Sequence, residues 1–153
     1  MKTRIISKTL LSLGLAFVLG SAITQVRGQG VVSIHSTGDV IRGKTGSFVL
    51  NMSSPPNFWG GVPVNFSVSG TAIPGVDYIP LVSPALIHPV GSCGMCVPPG
   101  VGGGTGRGVI LVKTLPDPRA LIFPQAYSVV VTLEPGFGYA VGQPSSATMM
   151  ITP

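Results

Sequence analysis

The sequence predicts an all-β chain: one antiparallel sandwich of about seven short strands, set behind an N-terminal export signal. Three observations carry this. Apolar residues alternate with period 2 in short pieces, 22 glycines and 15 prolines punctuate those pieces, and no helical period appears beyond residue 28. Glycine and proline are unfavourable inside helices, so their abundance among β-branched residues reads as strands joined by turns.

The first element is residues 1–28. MKTRIISK is a basic leader, and Leu10 to Ile23 is an apolar stretch of fourteen residues. That length suits a signal-peptide core and falls short of the roughly 20 residues needed to span a bilayer. Val26-Arg27-Gly28 places permissive residues for cleavage before Gln29, and cleavage after Ala22 is the rival. The mature chain, residues 29–153, is then expected as one domain that is secreted or held in the cell envelope or periplasm, with no integral membrane segment left.

The strands follow in order. Val32 and Ile34 alternate in the first, Phe48, Leu50 and Met52 in the second, and Val62, Val64, Phe66 and Val68 in the third. Ala85 to Val90 is a short fourth. Val109 to Leu115 is nearly continuous in apolar residues, which predicts a fifth strand buried on both faces. Tyr127, Val129, Val131 and Leu133 mark the sixth, and Ala147, Met149 and Ile151 the seventh. Phe48, Leu50, Val64, Phe66, Val129, Val131 and Ile151 are the expected core. Gly91 to Gly108 is expected as an irregular loop between the fourth and fifth strands.

Charge excludes some partners. The formal charge is +5, but Lys2, Arg4, Lys8 and Arg27 lie in the leader. From Gln29 onward five bases (Arg42, Lys44, Arg107, Lys113, Arg119) face four acids (Asp39, Asp77, Asp117, Glu134), leaving +1. Dispersed bases on a nearly neutral body give no footprint for nucleic acid. Gly38-Asp39-Val40-Ile41-Arg42-Gly43-Lys44-Thr45 fits the P-loop expression, yet a P-loop needs a helix after it, and Gly46 to Leu50 reads as a strand. The segment is therefore read as a turn, with no nucleotide partner.

Val64 to Pro80, with Gly70-Thr71-Ala72 followed by Gly75-Val76-Asp77-Tyr78, resembles a Calx-β domain. Gly46 to Leu50 is similar to that family's second strand, and Gly138 to Ile151 to its last turn and strand. The resemblance covers roughly residues 32 to 152 and implies an immunoglobulin-like sandwich of seven strands. Family members in sodium–calcium exchangers bind calcium through acidic residues at one end of the sandwich. Here Asp77 matches the aspartate of the Asp-Tyr pair and Asp117 is what remains of a larger acidic group. Ile41-Arg42, Pro124 and Tyr127 stand about where other acids would be. Calcium takes six to eight oxygen ligands, so the metal candidates Asp77 and Asp117, even with Asp39, make at best a degenerate site. The alternative for Asp77 is to satisfy backbone amides in its turn, a role whose loss costs about 1 kcal/mol.

Other constellations are weaker. Cys93-Gly94-Met95-Cys96 suits a local disulfide in an oxidising compartment, with free thiols or metal as alternatives. Zinc would need two more ligands, for which only His35 and His88 exist. Phe58-Trp59, between Pro and Gly, is either a contact loop or a cap on the open end of the core. No nucleophile-elbow pattern is present, and four carboxylates leave little for a catalytic pair. The expectation is a non-catalytic module without a cofactor, contacting a protein or glycan at a cell surface. A weak calcium-binding regulatory domain is the second reading.

Overall fold

Residues that alternate apolar and polar in the sequence alternate buried and exposed in space, as half-buried strands require. The computed structural model describes residues 30–53, 61–90, 105–116 and 125–153. Among these there is no helix. Ten strands form: β1 (Gly30–Ser36), β2 (Val40–Ile41), β3 (Thr45–Ser53), β4 (Val62–Val64), β5 (Phe66–Gly70), β6 (Ala85–Val90), β7 (Thr105–Lys113), β8 (Tyr127–Leu133), β9 (Tyr139–Val141) and β10 (Ser146–Thr152). One sheet has the order β4-β6-β7-β3-β1-β9 and the other β2-β10-β8-β5.

The two sheets bury one core between them. Val32, Ile34, Phe48 and Leu50 from the first meet Phe66, Val129, Val131, Met149 and Ile151 from the second in a single apolar cluster. All of the expected core residues, Val64 included, are in it. The chain is therefore an all-β sandwich.

Four expectations about elements change. The third expected strand is two. Asn65 donates its backbone N–H to the Tyr139 hydroxyl at 2.9 Å, so the ladder breaks there and the chain passes from β4 in one sheet to β5 in the other. The sheets are also mixed rather than purely antiparallel. Short parallel pairs join β1 to β9 and β2 to β10, elements too brief to show as alternation in the sequence. The fifth strand begins earlier than expected, because Thr105 to Gly108 pair with Leu50 to Ser53 and belong to β7, not to a loop. The remainder of the expected loop, residues 91–104, lies outside the described residues, as do the leader and its cleavage positions.

The fourth change matters most for function. β7 was expected to be buried on both faces, yet it alternates strictly. Gly106, Gly108, Ile110 and Val112 point inward, while Val109 is 49% and Leu111 62% exposed. A continuous apolar run has the same composition whether its second face is covered or exposed; here Val109 and Leu111 keep about half of their surface exposed, while Val49 beside Val109 on the same face is 3% exposed.

Candidate functional site

The Gly-Thr-Ala to Asp-Tyr stretch builds one end of the sandwich. β5 closes at Gly70, whose φ of +124° suits glycine. A turn follows in which Val76 and Asp77 both donate their N–H groups to Ile73 O, at 3.1 and 2.9 Å, and Gly75 donates to Tyr78 O at 2.8 Å. The Asp77 carboxylate closes this turn from above, with Oδ2 accepting the Ile73 N–H at 2.7 Å. Its other oxygen, Oδ1, accepts from Arg42 Nη2 at 3.2 Å. Asp77 is 0% exposed and the Arg42 side chain only 7%. The guanidinium also lies over the Tyr127 ring, 5.1 Å from its centroid, a cation–π geometry.

This buried ion pair ties four segments together. Arg42 comes from the turn after β2, Asp77 from the turn after β5, Tyr127 from the start of β8. The end of β7 joins through Leu115 N–H to Asp77 O at 2.9 Å and through Thr114, whose hydroxyl donates to Lys44 O at 2.7 Å. A charge withdrawn from water is tolerated when it is paired, and here Arg42 Nη2 and Asp77 Oδ1 pair at 3.2 Å. Burial pushes the neighbouring Tyr78 phenol above its usual range, with the Asp77 carboxylate adding to the rise.

The described carboxylates near this end are already engaged by nitrogen donors. Both Asp77 oxygens serve nitrogen donors, one of them cationic. Asp39 accepts the Met150 N–H at 3.0 Å on the far side of β2. Among the described residues no group of three or more His, Cys, Asp or Glu side chains could hold a metal. Asp117, Cys93, Cys96, Phe58 and Trp59 lie outside the described residues, so of the candidate site residues only Asp77 is placed. Gly38 to Thr45, the P-loop look-alike, holds β2 and a turn, and the strand β3 follows it rather than a helix.

A second feature lies on the outer face of the six-stranded sheet. The exposed side chains Ile79, Val82, Val109 and Leu111 gather where β7 runs beside the segment 79–85, around an open groove of about 330 Å³. Val82 is 82% exposed. Farther along β7, register places His88, Arg107, Asn51 and Ser33 in one row across four strands. Sequence reasoning missed this face because it took the β7 apolar run for core. The signal was available in Gly106-Arg107-Gly108, where a charged residue alternates with two glycines too small to face solvent by preference.

No protein-family model and no curated protein matches the chain. Among the described residues no helix is long and apolar enough to cross a membrane.

Proposed function

We propose that the chain is an exported, non-catalytic, Calx-β-like module that acts by surface contact at the cell exterior or envelope. The observation that carries this is the apolar outer face of the six-stranded sheet. A solvent-facing sheet normally alternates to polar side chains, and the outward positions of β5, β8 and β10 are mostly Ser and Thr (Ser67, Ser69, Ser128, Thr132, Ser146, Thr148, Thr152), interrupted only by the half-buried Val130 and Met150. Exposed aliphatics clustered on one face of a small domain are a mark of an interaction surface. The buried state of Asp77 and its engagement by Arg42 favour a structural role for Asp77 over calcium regulation.

The test is binding of the fluorescently labelled exported protein to intact cells of its source. Saturable binding, displaced by unlabelled protein and unchanged by a calcium chelator, is the expected result. Binding that disappears with the chelator would favour the calcium reading, and no saturable binding would discard the contact module.

A further inference from the structure

The outer face of the six-stranded sheet has a charge pattern as well as an apolar one. Along β7 the outward residues are Thr105, Arg107, Val109, Leu111 and Lys113, so a cation stands on each side of the aliphatic pair. Arg107 and Lys113 are both exposed. They stand six positions apart along the strand, roughly 20 Å at strand rise. His88 and Asn51 flank Arg107 in its row, and His35 follows Val49 in the next. No carboxylate shares this face among the described residues. Asp77 is buried, Asp39 is bound to β10, and Glu134 follows β8 of the other sheet.

We infer that this face docks an acidic protein segment that presents aliphatic side chains between carboxylates. The inference rests on the contact-module reading and names its partner chemistry. Charge complementarity selects the sign: two uncompensated cations steer and orient an anionic partner. The same cations oppose a second copy of this chain, which would bring Arg107 and Lys113 against like charges. The groove between β7 and residues 79–85 offers Ile79, Val82, Val109 and Leu111 to an aliphatic anchor. The face carries no aromatic side chain among the described residues, which disfavours sugar stacking. Its side chains also stand only one residue above a sheet, which suits a protein surface better than insertion into a lipid layer.

The experiment measures binding of the exported protein to a synthetic peptide alternating glutamate and leucine, by fluorescence anisotropy at low and high salt. Its comparators are polyglutamate, a lysine–leucine peptide and phosphatidylglycerol vesicles. The glutamate–leucine peptide should bind most tightly, and 0.5 M salt should weaken it several-fold. Arg107→Glu and Leu111→Asp should each weaken it at least tenfold, whereas Ser69→Glu on the opposite sheet should not. Melting curves confirm that each variant folds; a Leu111→Asp protein that fails to fold is replaced by Leu111→Ser. Equal binding by Arg107→Glu, binding no tighter than polyglutamate, stronger binding to vesicles, or no binding to the peptide would each overturn the inference. Saturable cell binding that survives Arg107→Glu would overturn this face while leaving the contact-module function standing; loss of all cell binding by the unaltered protein would remove both.

Discussion

Asp77 and Arg42 are a pair that neither partner can leave cheaply. A turn carboxylate that only caps an amide is worth about 1 kcal/mol. A buried one that also neutralises a buried guanidinium is worth more, because its removal takes an ionic partner from a charge held away from water. Asp77→Ala should therefore lower the unfolding free energy by about 3 kcal/mol in urea denaturation. Replacing both residues with apolar ones, Arg42→Met with Asp77→Leu, should recover much of that loss. A single-variant loss near 1 kcal/mol would show that only the backbone contact counts.

Tyr139 gives a second prediction. Burial raises its phenol above the usual range, the Asn65 amide pulls it the other way, and Glu134 adds to the rise. Tyr78 is raised as well. A phenol whose proton is held more tightly folded than unfolded supplies its stability below about pH 10, and that stability is lost as pH rises through the folded pKa. The melting temperature should fall above about pH 10, and Tyr139→Phe should make that fall shallower while lowering stability at neutral pH. The neutral loss follows from geometry, since the hydroxyl donates to Glu134 O at 2.5 Å and accepts from Asn65 N. An alkaline limb identical to that of the unaltered protein would remove Tyr139 from the account.

Among the elements, β5 is the most exacting. Phe66 is 6% exposed and fills the core where the chain has just changed sheets, so Phe66→Ala should cost about 3–5 kcal/mol. Gly70 ends the strand with a positive φ, and a Cβ there would collide with the carbonyl oxygen of Ser128. Gly70→Ala should cost at least about 2 kcal/mol by chemical denaturation, combining backbone strain with overpacking. A near-neutral effect would mean that β5 and β8 separate more easily than their register implies. β7 carries the opposite lesson. Its inward Gly108 is required by close approach, since a Cβ there would lie 2.7 Å from Leu86 O. Its outward valine and leucine are not required by the fold at all. Val109→Thr and Leu111→Thr should therefore be within about 0.5 kcal/mol of neutral by thermal melting, the range for surface changes. A larger loss would show that the aliphatic face is covered in the isolated protein.

For the molecule as a whole, the ion pair at the end of the sandwich predicts indifference to calcium. Millimolar calcium should leave the melting temperature unchanged, because a ligand shifts stability only by binding the folded state. A rise that vanishes in Asp77→Ala would show that carbonyl oxygens complete a site around that residue. The contact face is predicted to behave independently. Charge changes at Arg107 should alter binding without moving the melting temperature, since the residue is exposed and makes no ion pair among the described residues.

The class of fold, most strand positions and the core were legible because alternation is a local property: each residue's face follows from its neighbour's. Arg42 in an expected acidic position was also legible, and it already weighed against calcium before any geometry was known. Contacts between distant segments were not. Nothing near Asn65 says that its amide will meet the hydroxyl of Tyr139, 74 residues away, and so divide one apparent strand between two sheets. Nothing near Asp77 names Arg42, 35 residues away, as its partner. The apolar run of β7 is the sharpest case. Local sequence determines that Val109 and Leu111 share a face opposite Ile110 and Val112, but whether that face meets another layer or water depends on what the rest of the chain places above it, and only the assembled sandwich leaves these two side chains about half exposed.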